Sequence, residues 1–261
     1  MTTAPRISVL DAVSDPGNPA KANEDRLGHN DACAFVIDGA TGLGDRQYVD
    51  PDGSDAAWIA ARFADAFQRG ITRDTTIPDI ARVASEDALR SFTGSHPDVP
   101  RYAWPLSAFA MVHATRDAFT FYGLGDSCVF LLQEDGSASL HTAIPGAYAR
   151  EQEHARSHIA RTGGIWTLGL VPEAADHLVH EPLPVKTRAH TIICSDGLAD
   201  LVVLYALYDA ASLVRTALDR GLRPMIDELR RLEREVDPHG LRYPRFKQSD
   251  DTTAILVELT T

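Results

Sequence analysis

Sulfur is scarce in this sequence. Its 261 residues hold three cysteines, Cys33, Cys128 and Cys194, and no two stand close enough to make a CxxC metal or redox motif. Each sits in an apolar stretch (ACAFVID, SCVFLL, IICSDG), where a free thiol behaves as a small buried hydrophobe. That usage fits a reducing compartment. Long apolar runs are missing too. The longest candidate, LVVLYALYDAASLV, is cut by Asp209 and falls short of membrane-spanning length. The first residues, MTTAPRISVLDAVSDPG, lack the basic and then apolar regions of a signal peptide, so the expected location is cytoplasmic. Positive charge is in deficit, with 25 Lys and Arg against 37 Asp and Glu and a net charge of −12. That argues against a nucleic-acid partner, which needs a basic face, and against docking on an anionic membrane. An acidic chain can still handle anions if bound cations invert the local field.

What is present is ordinary globular material: 44% apolar and 24% charged residues. Residues 6–13 read as a strand and 15–23, with two Pro and one Gly, as a loop. ACAFVID at 32–38 is a continuous apolar run of the buried-strand kind, ending in the Gly-rich DGATGLGD. Two helices are expected from Ser54 to Arg69 and over 78–92, with Pro78 as first helical residue. SAFAMVHA, DAFTFYGL and SCVFLLQ read as an antiparallel meander. A short helix near 149–161 beside a mobile loop, strands at 176–185 and 190–195, helices at 207–219 and 224–236, and a closing strand TTAILVEL complete the pass. Segregated runs of strands and helices point to an α+β layered fold rather than βαβ units. Trp58 reads as helix core.

Acidic residues recur at strand ends. Asp38 follows ACAFVI and precedes Gly39; Asp196 follows TIICS and precedes Gly197; Asp250 and Asp251 precede TTAILVEL; Glu24 and Asp25 lie before RLGH. A strand end is a rigid support, and Mg²⁺ or Mn²⁺ prefers carboxylate, carbonyl and water ligands. One DG is usually a turn; three such features beside buried-type strands are a pattern.

The set NEDR (23–26), FVIDGATG (35–42), GLGDS (123–127), CSDGLAD (194–200) and SDDTTAILV (249–257) resembles the metal-dependent protein phosphatases, the type 2C serine/threonine phosphatases, in their order and over nearly the whole chain. The resemblance implies a four-layer αββα sandwich of two antiparallel sheets flanked by helix pairs, in one domain spanning 1–261. It implies two Mn²⁺ or Mg²⁺ ions: Asp38 bridging both, Gly39 offering its carbonyl and Glu24 its carboxylate to the second, Asp196 and Asp250 on the first. Asp126 and Asp200, with Asp196, match residues that hold a weaker third ion, and Asp25 matches the acid that orients metal-bound water. Two cations about 4 Å apart lower the pKa of a shared water, which attacks the phosphorus of a phosphomonoester. In keeping with this, the chain has no Cys-x5-Arg loop of a cysteine phosphatase. The implied partners are a phosphoprotein substrate and a cognate kinase.

Several positions depart from the family pattern. The usual phosphate-gripping Arg is Ala20, and Lys21 is the substitute expected from sequence, a point charge in place of a planar fork. Ala40 stands where some relatives have a proposed general-acid His. Asp251 stands where many have Asn, and LSAFA (106–110) replaces GSTA. A non-catalytic binding module and a small-molecule phosphatase on the same fold therefore stay open, as does a structural metal protein without turnover. His154 and His158 share an i, i+4 spacing in HARSH without the Glu of a zinc-hydrolase motif. With Arg150, Arg156 and Arg161 they fall in the expected flap.

Overall fold

Alternation along the central strands sorts residues into layers, because successive side chains leave a strand on opposite faces. The computed structural model describes residues 4–40, 46–49, 53–144, 165–245 and 247–261. Its strands are β1 (Arg6–Asp15), β2 (Arg26–His29), β3 (Cys33–Ala40), β4 (Leu106–Ala114), β5 (Phe119–Leu124), β6 (Cys128–Gln133), β7 (Ala138–Thr142), β8 (Leu168–Gly169), β9 (Val179–Leu183), β10 (Arg188–Cys194) and β11 (Thr252–Thr260). The helices are α1 (Asp55–Gly70), α2 (Ile77–Ser95), α3 (Asp196–Val203), α4 (Ala210–Arg220) and α5 (Arg223–Arg231). One antiparallel sheet has the order β1-β11-β10-β6-β7; the other has β2-β3-β4-β5-β9, with β8 on β4.

Along β3, Cys33, Phe35 and Ile37 face α1 and α2, whereas Ala34 and Val36 enter the layer between the sheets. Along β6, Cys128 and Phe130 face α3 to α5, whereas Val129 and Leu131 join the same inter-sheet core. The layers are thus helices, sheet, sheet, helices, as the α+β sandwich reading requires. The outer core under α1 is aromatic: Phe67 lies 5.6 Å from both Phe35 and Phe109, ring centre to ring centre. Each such buried ring contributes about 2–3 kcal/mol through the area it removes from water. Trp58 is half-buried against this core, with Arg62 over its ring.

Local chemistry sets the helix starts. Ser54 caps α1 by accepting from the Ala57 amide at 3.2 Å, and Asp55 places a carboxylate in the first turn. Asp209 and Ser212 form a reciprocal capping box on α4. The second helix begins at Ile77, one residue before Pro78, which takes the second position. Beyond α5 the chain widens into a π turn, Leu232–Val236.

Four sequence expectations are corrected. SCVFLLQ does not continue a meander: β5 pairs with β4 and β9, but β6 pairs with β10 and β7 in the opposite sheet. The crossing is made at Gly125, whose φ of +75° lies in the left-handed region where a side chain is strained. RLGH, to which the sequence assigns no element of its own, is β2, registered on β3 from Arg26–Ile37 to His29–Ala34. Asp196–Val203 form α3, to which the sequence assigns no helix, so among the described residues this layer holds three helices. The strand expected over 176–185 starts at Val179, because Pro172–His177 is a 3-10 turn. The expected helix at 149–161, with Arg150, His154, Arg156, His158 and Arg161, lies outside the described residues, as does most of the DGATGLGD turn.

Candidate metal centre

Register brings the acidic strand ends to one end of the sandwich. Cys194 pairs with both Ala254 and Cys128, Asp15 with Thr252, Arg26 with Ile37, Asp38 with Ala108 and Phe109 with Leu124. The segments carrying Asp25, Asp38, Asp126, Asp196 and Asp250 all leave their strands at that end. Asp38 is inside β3 rather than beyond it. It shares parity with Ala34 and Val36, so it points between the sheets.

The electrostatics show that these carboxylates are neighbours. Burial pushes Asp25 up to about 7 against the hydrogen bond from Ser195, and the charges of Asp251 and Asp250 add to the rise. Asp38 is held well above the usual carboxylate range by burial first, then by Asp25, Asp196, Asp126 and Asp250. Asp196 is raised likewise, by burial and by Asp126, Asp250, Asp200 and Asp25. These acids thus repel one another in a poorly hydrated place, and an opposite charge is the natural relief. The buried Oδ1 of Asp25 has no hydrogen-bond partner among the described residues. The donors are all oxygen, which fits hard divalent cations. Among the described residues no three acidic, His or Cys side chains close around one cation-sized point.

A cleft of about 630 Å³ opens beside the cluster, lined by Glu24, Ser54, Asp250 and Asp251 together with Lys21, Arg234 and Lys247. Sequence reasoning named Asp251 but not its role, and missed the other residues that hold this wall. Ser54 donates its hydroxyl to Glu24 while capping α1. Asp251 accepts from the amides of Glu24 at 2.7 Å and Gly17 at 2.9 Å. Ser195 donates to Asp25 at 2.8 Å. Lys247 Nζ is 2.8 Å from Asp250 Oδ1; burial draws its pKa down, but the pull of Asp250 prevails and raises it. Gly39 is a packing necessity, since a Cβ there would come within 2.6 Å of the Glu24 carbonyl and 2.9 Å of the Ala56 carbonyl. The signal for Ser54 was its place before a helical run; for Ser195 it was its place within the CSDGLAD motif, and for Lys247 its adjacency to SDDTTAILV.

Below Asp25 the network continues into the fold. Arg230 donates to Asp15 at 2.9 Å, to Glu233 at 2.9 Å and to Thr252 at 3.1 Å, tying β1, α5 and the start of β11. The cysteines are free and buried. Cys128 and Cys194 lie side by side, Sγ to Sγ 3.7 Å, and burial raises the Cys194 thiol well above its usual pKa. Such a thiol stays protonated and unreactive.

Known structures share this architecture. PppA, a key regulatory component of T6SS in Pseudomonas aeruginosa, superposes with a TM-score of 0.58 at 18% identity, over 98% of each chain. The serine/threonine phosphatase PstP/Ppp of Mycobacterium tuberculosis gives 0.58 at 16%, over 99% of this chain and 100% of that one. A PstP catalytic domain in complex with two manganese ions gives 0.59 at 14%, again over 99% and 100%. No curated protein sequence matches the chain. The sequence pattern described as protein phosphatase 2C matches residues 21–238. With most of its length covered by that pattern, the chain belongs to the protein phosphatase 2C family.

Proposed function

We propose that the chain is a metal-dependent hydrolase of phosphoserine and phosphothreonine monoesters in proteins, working as one domain. The observation that carries this reading is the convergence of the segments bearing Asp25, Asp38, Asp126, Asp196 and Asp250 at one end of the sandwich, where burial and one another's charge raise Asp25, Asp38 and Asp196. The PstP structure with two manganese ions and the RsbX structure with magnesium support Mn²⁺ or Mg²⁺ as the cations.

Asp38, Asp196 and Asp250 would hold the first ion, and Asp38, Glu24 and the Gly39 carbonyl the second. Asp126 and Asp200, with Asp196, would hold a weaker third. When bound, the ions activate water for attack on phosphorus and neutralise the phosphoryl oxygens. The protein's own part is placement. Asp251 and Ser54 fix Glu24 from its backbone and its side chain. Ser195 fixes Asp25, which would hold a proton for the water the ions activate. Lys21, on the cleft wall, offers a charge for the phosphate, and the substrate is a phosphoprotein supplied by a serine/threonine kinase.

The test is manganese-dependent hydrolysis of p-nitrophenyl phosphate and of a phosphopeptide, with Asp38→Ala and Asp196→Asn as controls. Turnover should vanish in both variants while the fold persists. Near-wild-type activity in Asp196→Asn removes the metal assignment. Ala20 and Ala40 favour a second reading, a phosphatase-fold module without turnover; cation binding without hydrolysis of either substrate would establish it. Hydrolysis of metabolites but not the phosphopeptide would establish a small-molecule phosphatase.

A further inference from the structure

Ala20 leaves the cleft without the expected arginine, yet the same cleft carries two cations from the far end of the chain. Arg234 lies in the π turn after α5, and Lys247 lies three residues before Asp250. We infer that Lys247 and Arg234 grip the phosphoryl group of the substrate, adding from the C-terminal third to the charge that Lys21 offers from the loop before Glu24. This inference rests on the phosphatase reading and names the residues that recognise the substrate there.

Arg234 makes no ion pair among the described residues. One guanidinium nitrogen donates to the Gly17 carbonyl at 2.9 Å, which anchors the head group at the cleft and leaves its remaining donors for a ligand. Gly17 is itself anchored, its amide donating to Asp251 at 2.9 Å. Asp251 also holds the Glu24 amide, so one carboxylate sets the distance between a cation-binding acid and an anion-binding base. Lys247 is half-exposed and touches Asp250 Oδ1 with an ammonium that has three donors. It therefore lines the open cleft beside the carboxylate cluster. Lys21 lines the same cleft, so three basic side chains meet its acidic rim.

The experiment is calorimetric titration of the Mg²⁺-loaded protein with inorganic phosphate, beside p-nitrophenyl phosphate kinetics. Lys247→Gln and Arg234→Gln should each weaken phosphate binding about tenfold, the value of one charge-assisted hydrogen bond. KM should rise in both, with cation affinity no lower than in the wild type. Lys247→Arg and Arg234→Lys, which keep the charge, should retain most of the binding and guard against loss by misfolding. Arg69→Gln, at the opposite end of α1 and paired with Asp65, should bind phosphate as the wild type does. Wild-type phosphate affinity in both Gln variants, or no phosphate binding by the wild type, overturns the inference. Turnover with unchanged phosphate binding in the variants sinks the grip and leaves the phosphatase reading standing. Phosphate binding that depends on Lys247 and Arg234, without turnover, sinks the phosphatase reading and leaves the grip standing.

Discussion

Ser195 and Asp25, 170 positions apart in the chain, are joined by a buried hydrogen bond of 2.8 Å. Ser195 occupies the N-cap of α3, yet its hydroxyl makes no cap. It donates to Asp25 and accepts from the Thr253 amide at 3.0 Å, locking together three segments that carry acids of the cluster. The hydrogen bond favours the ionised form of Asp25, so its loss makes that carboxyl harder to ionise. Ser195→Ala should move the acidic limb of the pH–rate profile upward and cost about 1–3 kcal/mol of stability. An unchanged profile would separate Asp25 from turnover.

The metal-free protein should weaken as pH rises. Asp25, Asp38 and Asp196 have folded-state pKa values above those of free side chains. Each binds its proton more tightly folded than unfolded. That contribution is complete below the unfolded value, near 4, and is lost as pH climbs through the folded value, about 7 for Asp25. Thermal melting in chelator should therefore show a falling Tm between about pH 5 and about pH 8. Saturating Mg²⁺ should remove the fall. A flat profile in chelator would mean that the acids do not repel one another as described.

Asp251 is a positioning residue whose two oxygens serve two amides, Gly17 and Glu24. Asp251→Ala frees both. Manganese affinity measured by calorimetry should drop by about 10–100-fold, the usual effect of losing a partner behind a ligand. Asp251→Asn, with one remaining carbonyl oxygen, should fall between. Wild-type affinity in Asp251→Ala would show that Glu24 is held from elsewhere.

How much of this was legible in sequence differs by residue. Asp38, Asp196 and Asp250 stood out because each adjoins a buried apolar strand, and those strands are the best-marked elements of the chain. β2 was not legible: RLGH is four residues long, has no alternation, and is a strand only because β3 lies beside it. α3 was hidden in DGLADLVV by Gly197 and the paired valines, which local propensity does not favour in a helix. The switch of β6 into the other sheet was invisible, since strands adjacent in sequence usually pair. Lys21 drew notice because it adjoins the motif. Lys247 stands as near the SDDTTAILV motif as Lys21 does to NEDR and was passed over; Arg234 reaches the cleft by tertiary folding alone, which sequence proximity cannot reveal.

Arg230 should prove structural. It is buried and answers two buried or half-buried acids, Asp15 and Glu233, while holding the hydroxyl of Thr252 at the start of β11. Arg230→Ala leaves Glu233 without its ion pair and Asp15 with the exposed Arg223 alone, which should cost about 3–5 kcal/mol in a denaturant melt. A loss under about 1 kcal/mol would mean that water reaches the network.

The central claim is that side chains from distant parts of the chain share a pair of cations. Anomalous scattering from a crystal soaked in Mn²⁺ tests it most directly. Two manganese peaks are predicted, both within ligand distance of Asp38, one also meeting Asp196 and Asp250 and the other Glu24. A difference map with no manganese at Asp38, or with ions bound only elsewhere, would contradict the account.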